Sequence, residues 1–146
     1  MTVIFSKKCE LALQAVLYLS TQEPELAFNA GEISEKIKVP KEFVSKVLQT
    51  LTINGIVGSK KGKSGGFFLA KEAKEIKLID IVIAIDGLEM FHQCVLGFPG
   101  CSQETPCPVH NTWGTIRENT YNMLNSHTLE DLKEQARNKI GYINMF

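Results

Sequence analysis

Residues 41–69, KEFVSKVLQTLTINGIVGSKKGKSGGFFL, decide the fold. At their start Phe43, Val44, Val47, Leu48 and Leu51 recur at helical spacing as an inward stripe, while Glu42, Ser45, Lys46 and Gln49 share the other face. Pro40 fits the beginning of this helix, because its missing amide hydrogen costs nothing there. Asn54-Gly55 reads as the C-terminal stop. Ile56-Val57 and Phe67-Phe68-Leu69 then read as two short strands joined by a glycine-rich tip that carries Lys60, Lys61 and Lys63. A polar-faced helix followed by a basic hairpin is the pattern of a winged helix-turn-helix.

Upstream, Ser6 is a suitable N-cap for a first helix to about Ser20, with Leu11, Ala15 and Leu19 at helical spacing and Ala12, Val16 and Leu17 beside them. So broad an apolar surface predicts contacts on several sides. A short helix with Ile33 and Ile37 one turn apart precedes the Lys38-Val39-Pro40 break, which makes it the first helix of the motif. Downstream, Leu78–Ile85 is apolar enough for helix or strand, and helix is preferred, closed by Gly87. A longer helix is expected from about Asn111 to Asn125, using Trp113, Ile116, Thr120 and Leu124. Thr128 caps a last helix with Leu129 and Leu132. The expected fold is mainly α with a small β-hairpin wing and C-terminal dimerisation helices. Its divisions are a DNA-binding unit (1–75), a connecting helix with a cysteine-rich loop (76–110) and dimerisation helices (111–146).

Net charge is zero, yet residues 36–74 hold nine lysines against Glu42 and Glu72, a local charge of +7. Phosphate binding depends on local lysine density, so the neutral total does not argue against DNA. Lys46 can reach phosphate or guanine, Gln49 can hydrogen-bond adenine, and Ser45 can serve several base edges. Lys41, Glu42, Lys60, Lys61, Lys63 and Ser64 complete the expected DNA surface. An ordinary amphipathic surface helix has the same stripe. Gly62-Lys63-Ser64 also suggests a phosphate loop, but that motif needs a glycine where Val57 stands and a helix where a strand follows.

Three of the four cysteines lie in one Gly/Pro-rich segment, Cys94-x6-Cys101-x5-Cys107-x2-His110. Thiolates are soft donors, and several in one loop can close around zinc or an iron-sulfur cluster. No apolar run is long enough to span a bilayer and no cleavable signal pattern is evident, so a cytoplasmic location is expected, with no membrane partner. In that reducing compartment clustered cysteines read as ligands or redox sensors rather than structural disulfides. Cys9 stands alone and reads as packing. His92 and His127 have no useful ligand spacing. No Ser-His-Asp or Cys-His pair sits in a catalytic frame, which argues against an enzyme.

Four motifs together carry a resemblance: Phe5-Ser6 opening the first helix, Asn54-Gly55-Ile56-Val57 after the third, Gly65-Gly66-Phe67-Phe68-Leu69 in the wing, and the late Thr128-Leu129-Glu130-Asp131-Leu132. On these the chain resembles, over essentially its whole length, the iron-sulfur-sensing branch of the IscR/NsrR-type family of bacterial winged-helix transcriptional regulators. The resemblance implies a cluster on Cys94, Cys101 and Cys107, although the first gap is six residues where the family usually has five. It offers two fourth ligands. His110 matches the Cys-x-x-His of the cluster-assembly regulator, and Glu10 falls where nitric-oxide-sensing members place an acidic ligand that reaches the partner chain's cluster. His110 is preferred, and a 2Fe-2S cluster is preferred over 4Fe-4S. The plainer reading of His110 is a helix-start hydrogen bond, and of Glu10 a first-turn carboxylate beside the helix dipole.

The implied function is a homodimeric regulator, a repressor by preference. It would bind a palindromic operator with an affinity set by a cluster that senses redox state, nitric oxide or iron-sulfur status. The alternative is a cluster-free or zinc-binding dimer of the same fold, responding through thiols, a protein partner or a small ligand. A thiol enzyme or electron carrier built on the same loop would have no use for the lysine-rich wing.

Overall fold

A computed structural model describes residues 4–146. Helix α1 (Lys7–Ser20) is the central rod, packed against four other helices. Ser6 caps it as expected: its Oγ accepts the Cys9 N–H at 3.1 Å. The same serine donates its backbone N–H to Asp86 at 2.9 Å, and its hydroxyl also bonds that carboxylate. Asp86 ends α4 (Leu78–Ile85), so one side chain pins the exit of α4 to the entry of α1.

The helix-turn-helix is α2 (Ala30–Ile37) followed by α3 (Lys41–Ile53). Asn29 and Glu32 form a reciprocal capping box at the start of α2, bonding at 2.8 and 3.4 Å. At its end Lys38 adopts a left-handed conformation, φ +60°, which turns the chain within three residues into α3. Asn54 and Gly55 (φ +76°) close α3, and the Ile56 N–H returns to the Leu51 carbonyl at 3.0 Å.

Val44, Val47, Leu48 and Leu51 are fully buried, but Phe43 is 51% exposed, which corrects its place in the inward stripe. The four buried positions already make a complete i, i+3, i+4, i+7 row. Phe43, one residue before Val44, is rotated about 100° away from that row and stands on the polar face.

Strands β1 (Val57–Lys60) and β2 (Gly66–Leu69) pair antiparallel, Val57 with Leu69 and Lys60 with Gly66. A further pair joins the hairpin to the rest of the unit. Phe28, just before α2, exchanges both backbone hydrogen bonds with Phe67, at 2.9 and 2.7 Å. The wing is thereby fixed to the entry of the helix-turn-helix. Gly66 makes this possible: at φ +148° its Cα lies so close to Phe28 that a Cβ would stand 2.4 Å from the Phe28 carbonyl carbon.

Beyond the wing come α4, a loop over residues 86–109, α5 (His110–Ser126) and α6 (Leu129–Ile143). Thr128 and Asp131 form the capping box of α6, with the Asp131 N–H bonding Thr128 Oγ1 at 3.1 Å. Helix α6 turns back onto its own winged unit: Leu129 is fully buried, its N–H bonds the Ile76 carbonyl at 2.8 Å, and Ile140 packs on the core. Helix α5 does not. It buries Leu124 alone, and Ile116 and Met123, two turns apart on one face, are 46% and 47% exposed. Among the described residues no helix is long and apolar enough to cross a membrane.

Candidate metal centre and nucleic-acid interface

The Cys94–His110 segment is bent by two left-handed glycines, Gly97 at φ +82° and Gly100 at φ +68°. Neither would tolerate a side chain without strain. The Gly97 N–H returns to the Cys94 carbonyl at 3.0 Å, and the Thr105 hydroxyl donates to the Gly100 carbonyl at 3.0 Å. These turns gather the three thiols, whose Sγ atoms all lie within 4.8 Å of one another. Cys94 and Cys107 are 3.5 Å apart, the Cys107 N–H donates to Cys101 Sγ at 3.4 Å, and His110 Nδ1 lies 3.1 Å from Cys101 Sγ. His110 is the first residue of α5, so the centre sits at the N-terminal end of that helix.

The thiols differ in acidity. Burial works to raise Cys94, but hydrogen bonds from the Phe98 and Leu96 backbone and from the Cys107 and Cys101 side chains outweigh it and bring Cys94 down to about 7. Cys107 is pushed up, by burial first and then by the adjoining Cys94 and Cys101. Cys94 therefore gives up its proton before Cys107, and the thiolate is the form that binds a cation. Cys9 is the opposite case: fully buried beside Asp86, it is pushed up to about 12 by desolvation and then by that carboxylate. It is a packing residue, as its isolation in the sequence suggested.

Three soft sulfur donors with an imidazole at their edge match both zinc and iron-sulfur chemistry. The surroundings agree. The cavity beside the thiols is also lined by His92, Trp113 and Arg117. Arg117 Nε is buried with no hydrogen-bond partner, an orphan donor next to a potential anion. Trp113 Nε1 donates to the Gln93 carbonyl and Arg117 Nη1 to the Phe91 carbonyl, both at 2.8 Å, so two side chains of α5 hold the backbone just before Cys94. Sequence reasoning missed these residues. The helical spacing of His110, Trp113 and Arg117 was the available signal, because it places all three on one face of α5. His92 had no such signal and reaches the cavity from outside any ligand motif. Glu10 lies in the first turn of α1, 3.5 Å from Lys7, outside the thiol group.

The basic surface is formed by α3 and the hairpin. Lys41, Glu42, Lys46 and Gln49 are exposed and Ser45 is half-buried, and Phe43 stands with them. Lys60, Lys61, Lys63 and Ser64 are exposed on the wing. Among the described residues none of these five lysines is ion-paired with an acid, so their charge is available to a polyanion. Because Phe28 fixes the hairpin to the start of α2, the two basic features belong to one rigid unit.

Residues 5–135 match the Rrf2 family model, described as an iron-dependent transcriptional regulator. A protein of Aquifex aeolicus assigned provisionally to the HTH-type transcriptional regulators is 33% identical over 132 residues, covering 89% of this chain and 91% of its own. The HTH-type transcriptional regulator IscR of Photorhabdus laumondii is 28% identical over 127 residues, covering 87% and 77%. Among solved structures, CymR, the global cysteine regulator of B. subtilis, superposes with a TM-score of 0.75 at 23% identity, over 92% of this chain and 98% of that one, a likeness of fold. With its winged helix-turn-helix, free basic surface and family match over most of its length, this chain belongs to the Rrf2 family of transcriptional regulators.

Proposed function

We propose that the protein is a cytoplasmic, homodimeric repressor whose operator affinity is set by an iron-sulfur cluster, 2Fe-2S in preference to 4Fe-4S, held by Cys94, Cys101 and Cys107 with His110 as the fourth ligand. It acts by binding and not by catalysis. The observation that carries this reading is the gathering of three thiols within 4.8 Å of one another, with the His110 imidazole 3.1 Å from Cys101. A cluster bound there supplies a one-electron couple and an iron site whose imidazole ligand exchanges more readily than a thiolate. Glu10 of a partner chain is the alternative fourth ligand.

The chain's own residues connect that centre to DNA. Residues 1–75 present the reader, with Lys41, Glu42, Ser45, Lys46 and Gln49 in the major groove and Phe43 able to contact a thymine methyl. Lys60, Lys61, Lys63 and Ser64 of the wing lie along the sugar-phosphate backbone. Residues 76–110 carry the centre, and 111–146 the pairing helices. The exposed Ile116 and Met123 support α5 as the surface that joins two copies, and a dimer matches a palindromic operator by symmetry. Since the centre sits at the start of α5, a change in its charge or ligation alters how that helix is held and hence the spacing of the two readers. A 10- to 100-fold change in operator affinity needs only about 1.4 to 2.8 kcal/mol of differential binding.

A second reading has its own support. Cys94 and Cys107, 3.5 Å apart, suit a regulator that senses through its thiols without a cluster, or that holds zinc. Anaerobic purification with visible spectroscopy, iron and acid-labile sulfide assays separates the two. The cluster reading expects coloured protein containing iron and sulfide, and loss of both in Cys101→Ala. Protein that stays pale under anaerobic reconstitution yet still retards palindromic duplex DNA would establish the second reading instead.

A further inference from the structure

We infer that Arg117 is the charge partner of the thiol centre: its guanidinium balances the negative charge of the metal-loaded Cys94, Cys101 and Cys107 and ties them to α5. This rests on the reading of those cysteines as ligands.

The Arg117 side chain is half-buried and its Nε fully so, and a buried guanidinium nitrogen is costly without an acceptor or an anion beside it. It has neither from the ordinary side chains around it. Among the described residues only the Phe91 carbonyl accepts from it, at 2.8 Å, its Nε is buried and unbonded, and it has no ion pair. Among the described residues no Asp or Glu lines the cavity it shares with the three cysteines and His110. Within that cavity the groups able to carry negative charge are the three sulfurs. Protonated thiols are neutral, but three thiolates around a divalent cation, or around a cluster, leave net negative charge beside the guanidinium. Loading the centre thus supplies the counter-charge that Arg117 lacks, and Arg117 favours loading by the same amount.

The position on α5 adds a consequence. Arg117 lies one turn beyond Trp113, whose indole holds the Gln93 carbonyl at 2.8 Å, so the two side chains clamp the backbone leading into Cys94. The strength of the guanidinium's hold depends on the charge of the centre. A change there is thereby conveyed to the helix with the exposed Ile116 and Met123. Arg117 is a positioning residue, not a ligand.

The test uses the full chain with Co(II) as the probe, followed by its sulfur-to-cobalt charge-transfer absorption against a competing chelator. Arg117→Met should weaken Co(II) binding by about 10-fold or more, within the range of 10- to 100-fold usual for lost outer-shell partners. Arg117→Lys, which keeps the charge, should recover most of it. On reconstituted protein, Arg117→Met should make the cluster harder to reduce, with the reduced-to-oxidised ratio at the wild-type midpoint about tenfold lower, about 59 mV for one electron. Loss of the Phe91 hydrogen bond alone would weaken Co(II) binding through the loop but leave the potential at its wild-type value, and that outcome too would overturn the inference. Wild-type Co(II) affinity and potential in Arg117→Met would overturn the inference, as would Arg117→Lys no better than Arg117→Met. Cys101→Ala keeps the two ideas apart. Unchanged Co(II) binding in that variant removes the ligand reading itself, whereas loss there with no effect in Arg117→Met removes only the role of Arg117.

Discussion

Replacing Gly66 with alanine should unseat the wing. The new Cβ would stand 2.4 Å from the Phe28 carbonyl carbon, 2.5 Å from its oxygen and 2.7 Å from the Asn29 nitrogen, all of them backbone atoms that no rotamer change can move. Relief requires β2 to withdraw from Phe28, which breaks the two hydrogen bonds of the Phe28–Phe67 pair, worth about 0.5 to 1.5 kcal/mol each. Holding a non-glycine residue near φ +148° adds about 1 to 3 kcal/mol of strain. The total is about 2 to 6 kcal/mol, and at roughly 2 to 4 °C per kcal/mol it lowers the thermal midpoint by about 5 °C or more. Gly62→Ala is the control: its φ of +106° imposes strain, but its Cβ would meet nothing within 4 Å.

Circular dichroism during thermal and urea unfolding, at one protein concentration, should place Gly66→Ala well below Gly62→Ala. The ratio of duplex binding at low and high salt should show the wing's phosphate contacts weakened in Gly66→Ala even where the fold survives. Two variants of equal stability, within about 0.5 kcal/mol, would refute the claim that the Phe28 contact holds the wing.

On the reader helix, Lys46→Ala is expected to weaken all duplexes alike and reduce the salt slope by about one, whereas Gln49→Ala should relax base preference, and equal, negligible effects in binding titrations would take that helix out of the groove. Thr128→Ala removes the side-chain cap of α6 and should cost about 1 kcal/mol in urea unfolding. The Thr128 backbone N–H, which donates to the Asp131 carboxylate at 3.0 Å, and then the Thr128 side chain hold that carboxyl below its ordinary range, so Asp131 contributes stability above the ordinary carboxylate range that is lost as pH falls through the depressed value. Asp131→Asn, which removes that charge, should therefore lower stability at neutral pH and have little effect in acid, and a penalty constant down to pH 2 would contradict that linkage. In metal-free protein, iodoacetamide should alkylate Cys94 with a rate that rises around pH 7, while Cys9 stays unmodified in the folded chain throughout. Peptide mapping that finds Cys9 labelled first would show that its burial had been misread.

Much of this architecture is local and could be read along the chain. Ser6, Asn54-Gly55 and Thr128 each mark a helix boundary because a cap is satisfied within three or four residues of itself. The α3 stripe and the hairpin were legible from periodicity alone, and the ligand candidates from the spacing of three soft donors between turn-forming glycines. Phe43 was misplaced because Val44, Val47, Leu48 and Leu51 already fill the core-facing row of α3, and whether an apolar neighbour of that row is also covered depends on what packs there.

Residue order along the chain thus determined the helices, the strands, the basic tip and the crowding of cysteines, since propensity, capping and charge act over a few bonds. Only the tertiary structure decided what meets across long separations: Phe28 with Phe67, α6 with its own α1, and Arg117 with the thiols. Those contacts arise when buried surfaces and unsatisfied polar groups compete for partners in three dimensions, and a one-dimensional spacing carries no record of which partner wins.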